Sequence, residues 1–189
     1  VEARAHVTTE RTAEQLIAAA VPPSDRAPAP GGLFVLCRTV EQARAALGAG
    51  ADGVYLDFLE LTGAGVALRA LRSEGARFVG VAPPRIRKPG EEKIDRYLAS
   101  LAPDAVLVRG LGALYESGLE SGLESGLAGI EGPLRIGDFS LNVSNRLTAA
   151  EVLARGLSAF TPGFDLDAAQ VTALLETPFG PWAELVVHH

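Results

Sequence analysis

The residues of this sequence that could carry chemistry are polar side chains that follow short apolar runs. Three of them are arginines, which could converge on an anion such as a phosphate or a carboxylate. The same arginines could instead form salt bridges around a rim with Asp57, Asp138 and Glu60. The candidate substrate-binding residues are Arg38, Asp57, Arg85, Arg109, Asn142 and Asn145.

Two kinds of side chain in this set have more than one interpretation. Asn142 and Asn145 lie in a stretch rich in short hydrogen-bonding side chains. They could bind a substrate amide or a base edge, or they could satisfy the backbone of a turn. Asp57 could act as a general base if it is buried, but the expectation is a solvated carboxylate at a rim. No residue is assigned a catalytic role.

The cysteine and the histidines offer little for catalysis. Cys37 is the only cysteine and ends an apolar run, so we expect a buried and inert thiol. A single cysteine excludes an internal disulfide and fits a reducing, cytoplasmic compartment. His188 and His189 are candidate metal ligands, or the remnant of an affinity tag.

The elements that must position these residues recur along the chain. Short apolar runs alternate with helix-like stretches, and runs of this kind are typical of strands buried in a parallel sheet. The sequence therefore predicts an α/β protein with an incomplete parallel βα (TIM-like) barrel of about seven strands, whose chemistry lies at the carboxyl ends of the strands. The runs are 33–37, 53–57, 78–82, 105–109, 134–138, 159–161 and 185–187.

The length and the prolines suggest two parts. A complete eight-stranded barrel takes about 250 residues, and this chain has 189 without any Met. Residues 21–32 hold four prolines and two consecutive glycines, a composition that excludes a helix or a central strand. We therefore expect residues 1–32 to be a lead-in helix, capped by Thr9, and a linker from a preceding module, and residues 33–189 to be a partial barrel of a longer protein.

Helix boundaries and partners can also be anticipated. Thr148 with Glu151 forms a capping-box pattern at the start of a helix. The four-residue repeat in 117–127 is expected to be a surface loop.

The formal net charge of −6 argues against a broad, sequence-independent nucleic-acid-binding surface. No apolar run is long enough for a membrane span. An incomplete barrel leaves open strand edges, so the chain is expected to self-associate or to cover those edges with residues 1–20.

Four segments of the sequence, 45–56, 138–145, 149–165 and 184–189, resemble in this order motifs of the collagenase-like peptidases, peptidase family U thirty-two. The segment 45–56, AALGAGADGVYL, is similar to the family's aa-aGADaVYlg stretch, and 138–145, DFSLNVSN, to its D-x-S-L-N-x-x-N stretch. The segment 149–165, which ends in FTPGFD, resembles the next helix and strand, although Asp165-Leu166 replaces the usual Glu-Leu. The segment 184–189 looks like the strand before the family's cysteine-rich region.

The resemblance implies a βα barrel and one of two activities. The family was named for proteolysis, yet several members support hydroxylation of RNA bases or of a quinone precursor with cysteine-ligated iron–sulfur clusters. A cluster needs about four cysteines, so its ligands would come from other parts of a longer parent. On this interpretation the chain supplies scaffold and rim, and contacts RNA through the parent. A protease and a non-catalytic structural or binding module are the alternatives.

Overall fold

A parallel sheet forms the core of the fold. The computed structural model describes residues 10–86, 88, 90–91, 93–114 and 132–187. Within these residues six strands lie side by side in chain order, all in the same direction, and the sheet curls into a half-barrel. The predicted incomplete parallel βα barrel is therefore confirmed. The strands are β1 (Phe34–Cys37), β2 (Gly53–Leu56), β3 (Val79–Val81), β4 (Ala105–Val108), β5 (Leu134–Gly137) and β6 (Ala159–Phe160).

Helices between the strands cover the outer face of the sheet. The α-helices with both ends among the described residues are α1 (Ala13–Ala19), α2 (Val40–Gly48), α3 (Ala64–Ser73), α4 (Lys93–Ser100), α5 (Arg146–Ala154) and α6 (Ala168–Leu175), and short 3₁₀ turns span Leu61–Gly63, Phe139–Leu141 and Gly180–Trp182. The α2 helix packs on β1 and β2, α3 on β3, and α5 on β6. Polar caps fix helix starts, because Thr39 and Asp167 accept the backbone N–H three residues later.

Side chains along each strand alternate between two buried faces. In β2, Val54 and Leu56 pack against the helices, whereas Tyr55 points into the barrel. In β4, Val106 lies on the outer side and Leu107 on the inner side. This alternation is the ordinary geometry of an extended chain. The runs are apolar throughout because both faces are covered.

Aromatic rings fill the amino-terminal half of the barrel interior. Phe34, Tyr55 and Phe78 form a cluster with ring centroids 4.9–5.9 Å apart. Gly80 faces Tyr55 so closely that a Cβ placed on it would lie 2.4 Å from a ring carbon. The interior is therefore packed with side chains, as barrels of this size usually are. The chemistry of such a fold is expected above this layer, at the carboxyl ends of the strands.

The seventh apolar run does not form a strand, and this part of the prediction is wrong. Leu185–Val187 has no regular structure, and all three of its side chains are exposed. The sheet is extended here only by a parallel bridge between Phe160 and Ala183, with the Glu184 N–H donating to the Phe160 carbonyl over 2.9 Å. A strand needs bonded neighbours, and the described residues provide none on the far side of this segment.

The predicted lead-in and linker contact the β5–β6 side of the barrel. Helix α1 packs on α5, and Ala20 is buried in the same cluster as the side chains of α5. Arg146 donates from Nη2 to the Ala20 carbonyl over 2.8 Å, and the Ala29 N–H donates to the Ser158 carbonyl over 3.0 Å. The domain boundary at residue 32 stays a prediction.

Some predicted features lie outside the described residues. These are the lead-in 1–7, Thr9 as a helix cap, and the repeat 117–127. The described part of α1 starts instead after Thr12, whose side chain accepts the N–H of Gln15 while the Gln15 side chain accepts the N–H of Thr12. Among the described helices, none combines the length and apolar character that a bilayer crossing requires.

Candidate functional site

Three charged residues meet at the carboxyl ends of β2, β4 and β5. Asp57, Arg109 and Asp138 each directly follow a strand whose last residue faces the helices, so alternation turns their side chains toward the barrel interior. All three are buried, at 4%, 6% and 8% exposure respectively. This edge of the sheet is where βα barrels carry their sites. We call Asp57, Arg109 and Asp138 the mouth cluster.

Arg109 is the centre of the mouth cluster. Its Nη1 and Nη2 donate to the two carboxylate oxygens of Asp57 over 2.8 and 2.9 Å, and Nε donates to Oδ2 of Asp138 over 2.9 Å. Nη1 also donates to the Pro83 carbonyl over 2.8 Å. Burial lowers the pKa of Arg109, but the hydrogen bonds and charges of both carboxylates outweigh it, and the net pKa is raised. The guanidinium is therefore permanently charged.

The hydrogen bonds of Arg109 leave it little capacity for an external anion. A guanidinium has five N–H donors, and four of those on Arg109 are directed to Asp57, Asp138 and Pro83. The salt-bridge alternative therefore describes this arginine. The expectation that Asp57 is a solvated rim carboxylate is wrong, because the carboxylate is buried with both oxygens bonded to Arg109. Its position below the rim follows from the alternation along β2, which directs the Asp57 side chain toward the barrel interior.

Arg38 approaches the mouth cluster from the solvent side. Its Nη2 lies 3.4 Å from Oδ2 of Asp57, and its Nη1 donates to the Asp57 carbonyl over 3.4 Å. Half of the Arg38 side chain, 51%, is exposed. Long contacts and exposure make this a weak pair, so Arg38 can reorient toward a ligand at the mouth.

Arg85 follows β3 and stacks on an aromatic ring. Its guanidinium carbon is 4.5 Å from the centroid of the Phe139 ring, a cation–π contact. Phe139 in turn stacks on Phe164, with centroids 3.9 Å apart and an interplanar angle of 15°. The three side chains come from the loops after β3, β5 and β6. We call Arg85, Phe139 and Phe164 the rim stack.

A cavity of about 220 Å³ opens beside the rim stack, at the carboxyl ends of β3 and β4. Its walls combine apolar surface with charges of both signs. Arg85 therefore belongs both to the rim stack and to this cavity, and Arg109 connects the cavity with the mouth cluster. The lining residues are Pro83, Pro84, Arg85, Glu91, Ile94, Asp95, Arg109, Gly110, Gly112 and Ala113.

The two candidate asparagines shape the loop after β5. Asn142 is exposed and adopts a left-handed conformation, with φ of 53°, which asparagine tolerates better than most residues. Asn145 caps α5, because its Oδ1 accepts the N–H groups of Leu147 and Thr148 over 2.9 and 3.1 Å. The predicted cap at Thr148 with Glu151 is therefore wrong. The helix starts three residues before the predicted start, because the side-chain oxygen Oδ1 of Asn145 accepts two backbone N–H groups.

A second polar pair, missed from the sequence, crosses the barrel interior. The Tyr55 hydroxyl donates to Oε1 of Glu184 over 3.1 Å. Burial raises the pKa of Glu184, and the charge of Asp138 raises this pKa further, against the opposing effect of the Tyr55 hydrogen bond. Burial and the Glu184 charge also raise the pKa of Tyr55. The signal available in the sequence was the alternation after Ala183, which places Glu184 on the inner face.

The described residues do not fit an iron–sulfur cluster or a thiol nucleophile. Cys37 is 1% exposed, lies on the helix-facing side of β1 and donates from Sγ to the Val35 carbonyl. The expectation of a buried cysteine is therefore confirmed. Burial raises the pKa of this thiol, and a thiol with a raised pKa is a poor nucleophile. The described residues contain no group of three or more His, Cys, Asp or Glu that could hold a metal ion. His188 and His189, the predicted metal ligands, lie outside the described residues.

The fold and the site define the class of protein as an incomplete parallel βα barrel with a charged mouth at the carboxyl ends of its strands. No protein-family model matches the sequence, and no curated protein is significantly similar to it. The resemblance to the collagenase-like peptidases therefore remains a prediction from its motifs.

Proposed function

We propose that this chain is a ligand-binding barrel module that supplies scaffold and rim for a reaction on a planar aromatic substrate, such as an RNA base or a related aromatic acid. The observation that carries this proposal is the rim stack beside the cavity. A guanidinium stacked on one phenyl ring of a stacked pair, at a barrel mouth, is the kind of surface on which a further planar group can stack.

The chemistry of the reaction would come from elsewhere in a longer parent protein of the collagenase-like peptidase family. This chain has one cysteine, and its thiol faces the helices, so these residues would position a substrate and would not hold an iron–sulfur cluster. Arg38 is an exposed cation at the mouth that can pair with a phosphate or carboxylate of the substrate. A cytoplasmic location is part of the proposal, in keeping with the lone reduced cysteine.

Calorimetric titration of the chain tests the proposal directly. The ligands are a short single-stranded RNA, the matching DNA and hydroxybenzoate, which separate nucleic acid from small aromatic acids. We expect one of these classes to bind and Arg85→Ala to weaken its affinity about tenfold, because stacking on one base contributes about 1–3 kcal/mol. Arg85→Lys keeps the charge without the plane, and we expect it to bind as weakly as Arg85→Ala.

A matched control is available on the surface of α2. Arg44 forms an exposed ion pair with Glu74 and is remote from the rim stack in sequence and in the fold. Arg44→Ala removes the same charge and should leave the affinity unchanged. If Arg44→Ala weakens binding as much as Arg85→Ala, the binding depends on the overall charge of the protein and not on the rim stack. If the affinity is unchanged in Arg85→Ala, the rim stack is not the binding site.

One observation favours a second candidate, the non-catalytic structural module. Arg109 directs its donors to protein acceptors, so the mouth cluster is complete without a ligand. On this alternative the barrel only packs against other modules, and none of the three ligand classes binds. Proteolysis, the remaining alternative, has no supporting contact among the described residues.

A further inference from the structure

Among the described residues, no strand pairs with the outer edge of β1. The order of the described strands ends at β1, whose strand partner there is β2. The carbonyls of Leu33 and Cys37 accept N–H groups from the β2 side of the sheet. Because peptide groups alternate along a strand, the N–H and C=O of Phe34 and Leu36 point to the open edge.

This edge lacks the features that usually prevent pairing. Phe34–Cys37 contains no proline and no charged residue, which are common protections of natural edges. Leu36 is 42% exposed although it faces the barrel interior, and Leu33 just before the strand is 55% exposed. The open edge therefore combines unpaired backbone groups with exposed apolar side chains.

Opposite charges lie at the two ends of the edge. Arg38 follows β1, and its side chain is half exposed. At the other end, the Asp52 carboxylate accepts the Leu33 N–H over 2.7 Å and lies 2.8 Å from the position of a Cβ built on Gly32. If Phe34 pairs antiparallel with Leu36 of a second copy, Arg38 stands opposite Gly32 of that copy, beside its Asp52.

We propose that the β1 edge is a homodimer interface, in which β1 of two copies pair antiparallel about a two-fold axis and Arg38 of each faces Asp52 of the other. Antiparallel pairing is favoured over parallel pairing because the latter would put like charges side by side. A two-fold contact uses the same patch on both copies and closes at the dimer.

Sedimentation velocity of the chain over a concentration series tests the interface. We expect a monomer–dimer equilibrium, and we expect Leu36→Lys to raise its dissociation constant about tenfold or more, because a lysine on the edge must be buried in the pair. Leu36→Pro removes one edge donor without introducing charge and should act in the same direction. Val66→Lys, at an exposed valine on α3, should leave the dissociation constant unchanged.

A charge exchange keeps the test decisive if an edge variant folds poorly. Arg38→Glu should weaken the dimer, and Arg38→Glu combined with Asp52→Arg should restore it, with circular dichroism confirming the fold of each variant. A monomer at every concentration overturns the proposal. Larger open assemblies that respond to substitution of Val186 and not of Leu36 would overturn it too, because they would show head-to-tail pairing.

Discussion

At the scale of single residues, the mouth cluster is a buried ion triad with one cation and two carboxylates. Removing such charges from water costs several kcal/mol per ion, and the bidentate geometry of Arg109 offsets much of that cost. The triad fixes the relative positions of three strand ends, because the side chain of Arg109, directly after β4, bonds to the residues directly after β2 and β5. Arg38 and Arg85 stay exposed, so the proposed ligand contacts depend on them.

Glu184 gives the barrel interior a pH response of its own. Its pKa is raised above the ordinary value of 4.5, so the folded protein binds this proton more tightly than the unfolded chain. The stability contributed by protonated Glu184 is therefore fully present below 4.5 and is lost as the pH rises through the raised pKa. Glu184→Gln keeps an acceptor for the Tyr55 hydroxyl and cannot ionise, so it should abolish this decline.

Urea unfolding of both proteins between about pH 4 and pH 8 measures the difference. We expect the free energy of unfolding of the Gln variant, relative to the natural sequence, to increase with pH across this window. The contributions of the other carboxylates cancel in this difference, because those carboxylates titrate alike in both proteins. A pH-independent difference would mean that Glu184 does not titrate in the folded state within this range.

At the scale of elements, the loop from β5 to α5 shows what the sequence can predict. The helix itself was predictable from its composition, but two capping patterns overlap, one at Asn145 and one at Thr148. The choice depends on the path of the preceding turn, where Asn142 is left-handed and Val143 bridges to Pro162. Such long-range contacts are absent from the local pattern.

Asn145→Ala should therefore destabilise the protein by about 1 kcal/mol, the usual cost of a lost helix cap. The capping box that the sequence suggested would instead make Glu151 important. In the structure the Glu151 side chain forms an exposed pair with Arg155 one turn away, so Glu151→Ala should cost at most about 0.5 kcal/mol. Thermal or urea unfolding ranks the two variants, and the reverse order would restore the cap at Thr148.

The same distinction explains the strands and the site. Runs such as 53–57 and 105–109 were recognisable because both of their faces are apolar, a local property. The run 185–187 has the same composition and no strand, because pairing depends on a neighbour. Likewise, alternation along each strand is enough to predict that Asp57 and Arg109 face the interior. Their contact, between residues 52 positions apart in the sequence, can be predicted only if the order of the strands in the sheet is known. The rim stack gathers three separate loops and had no local signal.

At the scale of the whole molecule, two outer clusters are joined through one interior. One cluster lies between β1–β4 and helices α2–α4, and the other surrounds α5 and includes Trp182. Between them, the inner faces of β2 to β6 form a third cluster that includes Tyr55, Leu107 and Ile136. Because each strand contributes to the interior and to an outer cluster, the described barrel should unfold as one cooperative unit.

The single tryptophan makes this cooperativity measurable. Leu71 in α3 is fully buried in the cluster remote from Trp182, and Leu71→Ala should cost about 2–5 kcal/mol through the lost contacts and the cavity left behind. If the barrel is one unit, the fluorescence transition of Trp182 should move to lower urea together with the far-ultraviolet dichroism. Val66→Ala on the same helix, at a 63% exposed position, should shift neither by more than about 0.5 kcal/mol. A dichroism transition that splits while the Trp182 midpoint stays fixed would show that the two sides of the half-barrel unfold independently.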